Sequence, residues 1–427
     1  LSDMEAFINL LKCAIGTGCL AMPRAYYNAG WLLGLISTLL LGLFVVYAIH
    51  VLLNDINTLC RRHKLSELNY RETMELAILN GPHWLHPLSK FLAYQVDAFL
   101  CAYHFGVDCV YVVFIAKSVK ELGDLYFTPM DIRLYMALLT LPLLLTFLIS
   151  DLKYLVPFAI LANILLLASF AIICSYLFSN LPSLGERRAV QAWTHYPLFF
   201  GTILFAIESV GMAMNMQNPE HYLGPFGILN RAMFVVIAFY AAFGFFGYWQ
   251  YGDDTATSIL INLPLDEMLV ATPLNLTLID PQLLNRLAQC VTAMLALGIF
   301  FSYALQGYVA IDIIWHNYML PRLVDNAARS LHYLVRMAMV IASVLCGIAF
   351  PEFGLLLALV GSFCLAQVGL IYPGIINLCV CYSRGYGRFQ LLLWRSLAFI
   401  VVGLGGGIAG TVVSVMVMRD HLSTYDN

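Results

Sequence analysis

Long apolar runs recur from one end of this 427-residue chain to the other, and nothing else constrains its fold as strongly. A hydrocarbon core about 30 Å thick takes roughly 20 apolar residues to cross as a helix. By that measure the sequence predicts about eleven crossings. They fall over roughly 4–26, 30–54, 88–117, 132–150, 154–179, 197–217, 229–251, 283–314, 332–350, 352–381 and 392–418. The third, eighth and tenth exceed the minimum, as tilted helices or helices extending past the lipid would. Only 11% of residues are charged and mean hydropathy is +0.82. Soluble domains carry about 25% charged residues, so a soluble globular fold is excluded. A membrane β-barrel would show segments of about ten residues alternating in polarity, and the runs do not alternate. The expected fold class is an all-α polytopic membrane protein.

A net charge of −3, with no basic run interleaved with aromatics, gives no reason to expect nucleic acid as a partner. The 11 cysteines sit almost all in apolar segments, where thiols behave as small hydrophobes. Cys379-Val-Cys381 is too tight for a CxxC motif, and His83-Trp-Leu-His86 reads as a loop without thiols nearby. No metal and no cofactor is expected. The first apolar segment runs into Pro23-Arg24 and not into a small-residue cleavage site, so no signal peptide is expected either. The longest polar stretches, about 54–88 and 252–282, are loop-sized, so no soluble domain is expected.

Lysine and arginine placement sets the orientation. With the amino end cytosolic, thirteen basic residues fall in cytosolic loops and eight on the other side. The one Asn-x-Ser/Thr sequon, Asn275-Leu276-Thr277, then lies outside, making Asn275 a glycosylation candidate. An odd number of crossings puts the carboxyl end on the extracellular or lumenal side. Plasma membrane and endolysosomal membrane both fit.

Two spans carry breaks. The first is Gly16-Thr17-Gly18 in LLKCAIGTGCLAMP, where each glycine costs roughly 1 kcal/mol of helix relative to alanine. The second is Glu208-Ser209-Val210-Gly211 in GTILFAIESVGMAM, which puts a carboxylate at mid-membrane depth. Glycines also let helices pack closely, so Gly16 alone fits either use. Unwound backbone in a membrane is tolerated only where protein buries it or water reaches it, so such breaks point to a cavity. The breaks fall in spans one and six. A unit of five spans inverts when repeated, which divides the chain into 1–181, 196–382 and an extra span at 391–418. Half-helix amino ends offer N–H groups to an anion, and carboxyl ends offer carbonyls to a cation. A zwitterion matches both.

These residues resemble the proton-coupled amino acid transporter group of the amino acid/auxin permease family, within the amino acid–polyamine–organocation superfamily. The likeness runs nearly end to end: LLKCAIGTGCLAMP, YNAGWLLG at 27–34, RLYMALLTLPLLL at 133–145, ILANI at 160–164, YPLFFGTILFAIESVGM at 196–212 and GIFFSYALQGYV at 298–309. The first and fifth are specific motifs. The resemblance implies eleven helices in a five-plus-five inverted repeat and transport of small neutral amino acids by alternating access. Carried over residue by residue, it places Gly16, Thr17 and Gly18 at the substrate carboxylate and Glu208, Ser209 and Gly211 on the amine side. Tyr111, Phe301, Ser302 and Tyr303 are further substrate candidates.

The chain departs from the family pattern in three places. The family carries a histidine in span one, associated with proton coupling, where this chain has Asn9, which cannot titrate near neutral pH. His104 and Asp108, four apart in AYHFGVDCVYVVF, are a candidate replacement, as an ion pair or proton site, beside Glu208. A packing histidine with a neutralising carboxylate fits the same spacing. After span six, Asn215-Met216-Gln217-Asn218 replaces a family Pro-Leu-Glu-Asn, removing a negative charge at Gln217. The family's external-loop cysteines are absent from 118–131, 180–196 and 252–282.

The sequence thus favours a secondary transporter of small zwitterionic amino acids, with protons as the expected co-substrate and lipid as its surroundings. Two alternatives stay open: a facilitator without proton coupling, and an amino acid sensor signalling to a cytosolic partner, for which the loop at 54–88 supplies charge and the aromatic anchors Tyr70 and Trp84, although an interfacial helix fits the same stretch. No nucleophile–base set suggests an enzyme, and no filter motif suggests a channel.

Overall fold

The computed structural model describes residues 7, 10–11, 14–147, 152–178, 181–207, 224, 227–263, 281–322 and 328–425. Among them the chain is helical, without strands. The helices are α1 (Gly18–Ala29), α2 (Trp31–His63), α3 (Tyr70–Leu79), α4 (Ser89–Tyr126), α5 (Ile132–Phe147) and α6 (Leu152–Leu177). There follow α7 (Tyr196–Ala206), α8 (Ile228–Tyr251), α9 (Pro281–Ile314), α10 (Ala328–Ala349), α11 (Phe353–Tyr382) and α12 (Leu391–Tyr425). Every predicted span overlaps one of them, and eight of the helices among the described residues are long and apolar enough to cross a membrane. The chain is an integral membrane protein.

Local chemistry sets several ends. Gly30 separates α1 from α2 at φ 91°, and its N–H closes α1 on the Tyr26 carbonyl at 2.7 Å. A Cβ there would stand 2.6 Å from the Ala189 oxygen, so only glycine fits both the angle and the space. Helix α2 runs nine residues past its predicted end at 54, stopping after Arg61, Arg62 and His63, where Lys64 takes a left-handed conformation. Basic side chains in the last turn suit the negative end of the helix dipole. Helix α3 opens on a capping box: Asn69 Oδ1 accepts from the Glu72 N–H and Glu72 Oε2 accepts from the Asn69 N–H.

The helices form two compact units. The first contains the segments to Leu100, Ala189–Ala242 and Ala358 onward; the second contains Cys101–Arg188 and Phe243–Leu357. In the first, Gly201 of α7 and Gly361 of α11 let the two backbones touch, since a Cβ on either glycine would overlap the other helix's main chain. Two π-helical turns, Gly361–Leu365 and Gln367–Ile371, interrupt α11 at and just beyond this crossing. In the second unit, the core includes Phe114 against Phe353 and Phe147 against Tyr303, with ring centroids 5.4 and 5.2 Å apart.

Of the two readings of 54–88, a recruiting loop and a helix, the structure supports the helix. Most of the stretch is helix, and Tyr70 is 3% exposed, with its hydroxyl donating to the Val368 carbonyl at 2.5 Å. A tyrosine so placed is a core residue and cannot anchor a partner. Trp84, at 74% exposure, stays at the surface. His83–Leu88 is a short 3-10 helix in which the His83 and His86 rings lie 4.7 Å apart.

Candidate functional site

The break at Gly16 is held open by a side chain. The Ile15 N–H bonds to the Leu11 carbonyl at 3.0 Å, and helical pairing then lapses. Regular helix resumes at Gly18, with the Cys19 and Leu20 N–H groups reaching back only three residues, to Gly16 and Thr17. Tyr240 of α8, fully buried, spans the gap: its hydroxyl donates to the Ala14 carbonyl and accepts from the Gly16 N–H, the latter at 3.4 Å. Backbone groups inside a membrane must find partners, and one phenol here supplies both a donor and an acceptor. Thr17 is 4% exposed.

The helix that precedes the second break meets the first. A Cβ on Gly18 would stand 2.7 Å from the Ala206 Cα, so the turn where α1 restarts lies on the last residue of α7. Helix α7 ends there, with the Ile207 N–H bonded to the Ile203 carbonyl. Sequence reading placed the two breaks at equivalent points of two halves, and the structure brings Gly16–Gly18 against the end of the helix that leads into the other. Glu208, Ser209 and Gly211 lie outside the described residues, as do Asn9, Gln217 and Asn275.

The remaining predicted residues belong to the second unit. His104 and Asp108 do not pair: His104 Nδ1 stands 3.0 Å from Gln306 Oε1 of α9. Asp108 is fully buried, and neither carboxyl oxygen has a hydrogen-bond partner among the described residues. The α9 backbone comes close because Gly307 has no side chain; a Cβ there would lie 2.6 Å from Asp108 Oδ2 and would overlap Phe147. Tyr111, one turn beyond Asp108, is 8% exposed. Tyr303 is fully buried, with its hydroxyl 2.7 Å from Ser343 Oγ, and the Ser302 hydroxyl donates to the Gly298 carbonyl at 2.9 Å. Phe301 packs against Phe158, the ring centroids 5.0 Å apart and the planes tilted by 32°. Asp97, by contrast, is paired, with Arg71 Nη1 at 3.2 Å.

Two residues with clear roles escaped sequence reading. Tyr240 sits in an aromatic-rich span, where one more tyrosine attracts no notice. Gln306 lies inside the quoted GIFFSYALQGYV motif, but its partner is 202 positions away. Among the described residues, no cluster of three or more His, Cys, Asp or Glu converges in a way that could hold a metal.

Comparison with known proteins places the whole chain in one family. The family model described as transmembrane amino acid transporter protein matches residues 1–417. The proton-coupled amino acid transporter-like protein pathetic of Drosophila melanogaster is 30% identical over 431 residues, covering 100% of this chain and 86% of its own length. The probable amino acid transporter skat-1 of Caenorhabditis elegans is 23% identical over 449 residues, covering 100% and 92%. The family is one of transporters and not of enzymes. An all-helical membrane chain with this end-to-end match belongs to the transmembrane amino acid transporter family.

Proposed function

We propose that this chain moves small neutral amino acids across a membrane by alternating access, coupled to protons. The carrying observation is the contact of Gly18 with Ala206, which sets the Gly16–Thr17–Gly18 break beside the end of α7. Half-helix ends meeting inside the membrane suit a zwitterion, with N–H groups for its carboxylate and carbonyls for its amine. Glu208, Ser209 and Gly211 complete the amine side in this reading. The chain is then a five-plus-five inverted repeat with one extra helix, its amino end cytosolic. Membrane breaks of this kind occur where a cavity or protein covers them, and Tyr240 supplies part of that cover.

For the proton, this reading favours Asp108. Asn9 offers no titratable group, and His104 is engaged with Gln306. Asp108 has a carboxyl group without a protein partner among the described residues, in a fully buried setting, and the proton is the partner proposed for it. Support also comes from the Drosophila relative, whose name includes proton coupling.

The test is uptake into proteoliposomes of glycine, alanine and proline, with and without an inward proton gradient. Concentrative uptake that needs the gradient is the expected result. Exchange without concentrative uptake would move the reading to a facilitator, and binding without flux would move it to a sensor.

A further inference from the structure

At one end of the first unit, the last turns of α2 and α11 and the first turns of α12 enclose an open cavity of about 240 Å³. Three arginines line it, Arg62, Arg384 and Arg395, against a single acid, Asp55. None of the three forms an ion pair with any carboxylate among the described residues. In membrane proteins, basic pockets between helices near the aqueous boundary are sites for anionic headgroups.

The structural duties of these arginines leave charge to spare. Arg62 Nη2 donates to the Val380 carbonyl at 3.2 Å, an ordinary cap on the end of α11. Arg395 donates through Nη1 to Tyr47 at 3.1 Å and through Nη2 to Asn377 Oδ1 at 2.7 Å, while its Nε is buried without a partner among the described residues. The Arg384 side chain makes no hydrogen bond or ion pair with the described residues. The one acid is already occupied, since Asn377 Nδ2 donates to Asp55 Oδ2 at 2.8 Å. Three guanidinium groups on one opening, with one hydrogen-bonded carboxylate behind them, leave an excess of positive charge and unused N–H donors. Guanidinium forks match phosphate oxygens two at a time, which a point-charge ammonium does not. The space equals about eight waters at roughly 30 Å³ each, enough for a phosphate group and its ester oxygen.

We infer that this cavity binds the phosphate of a lipid headgroup, held by Arg62, Arg384 and Arg395, in a site separate from the helix breaks. Its occupant ties α2, α11 and α12 together at the membrane surface.

Native mass spectrometry of the detergent-purified protein tests this with three probes: phosphatidic acid, phosphatidylcholine of the same acyl chains, and inorganic phosphate. One phosphatidic acid should be retained in preference to phosphatidylcholine. Each arginine removed should weaken retention about fivefold, so Arg62→Gln with Arg384→Gln weakens it about twenty-five-fold. The paired Arg62→Lys, Arg384→Lys variant keeps the charge without the guanidinium fork and should bind between the native protein and the glutamine pair, which separates a lost site from a misfolded protein. Arg388→Gln, an equal change of charge outside the cavity, should have no effect. If millimolar inorganic phosphate displaces phosphatidic acid, the site is a phosphate site open to soluble ligands and its assignment to lipid is overturned. Full retention by the double glutamine variant overturns the phosphate site itself, and equal retention of the two lipids, since phosphatidylcholine also carries a phosphate, overturns its preference for an anionic headgroup.

Discussion

Gly18 and Ala206 meet main chain to main chain, at a point where a single added methyl would stand 2.7 Å from the Ala206 Cα. A methyl added at Gly16, two residues away, would meet nothing within 4 Å among the described residues. The two glycines therefore predict opposite outcomes. Gly18→Ala forces α1 off α7 and should destabilise the protein by about 1–3 kcal/mol, as overpacking does. Gly16→Ala meets no obstacle and should leave stability unchanged or raised by up to about 1 kcal/mol. If the break serves substrate, the methyl of Gly16→Ala takes space proposed for the substrate carboxylate and should still cut uptake about tenfold. Thermal unfolding in detergent, run beside proteoliposome uptake, separates the two.

Tyr240→Phe is the companion experiment. It keeps the ring and removes the hydroxyl that bridges Ala14 and Gly16. Two backbone groups then lose their partner, the Ala14 carbonyl buried and the Gly16 N–H half-buried, at a cost of about 1–3 kcal/mol for the carbonyl and less for the amide. Midpoint temperature should fall, and protection of the Gly16 amide from hydrogen exchange should fall with it. Unchanged protection would mean that the phenol is not what satisfies the break.

How much of this was legible in the sequence depends on the kind of signal. Apolar runs located the long helices, because the lipid thickness fixes their length. They misplaced the end of α2, because hydropathy marks where lipid stops and the helix continues through Asp55 and Arg62 to His63. Gly16–Gly18 was readable because glycine weakens a helix whatever its surroundings. Tyr240 was not, because its role depends on an approach between residues more than 220 positions apart. The His104–Asp108 spacing correctly put both on neighbouring turns of α4, yet spacing within one helix carries no information about α9. Gln306 takes the histidine, and Gly307 brings α9 backbone to the acid.

That separation of His104 from Asp108 makes the proton reading testable residue by residue. Asp108→Asn keeps the shape and removes the group that binds a proton. Uptake by the native protein should rise as external pH falls, because protonation loads the carrier from outside. In the variant this dependence should flatten and stimulation by an inward proton gradient should vanish, while counterflow of substrate persists. His104→Gln should keep the pH profile of the native protein. A native pH profile in Asp108→Asn sinks the assignment.

Asn377 offers a test of a different kind, because one amide there serves two charges. Its Nδ2 donates to Asp55 at 2.8 Å, while its Oδ1 accepts from Arg395 at 2.7 Å and from Ser396 at 2.8 Å. Asp55 and Asn377 are each 3% exposed, so water cannot easily replace either bond. Asn377→Ala strips the carboxylate and the guanidinium of a shared partner at once. The cost should be on the order of 3 kcal/mol, within the range for a buried charged group left without its hydrogen bond. Asp55→Asn in the same chain removes one of the two stranded charges and should recover part of that loss. A double-mutant cycle on thermal unfolding measures the coupling directly, and simple additivity of the two changes would show that the amide does not link the charges.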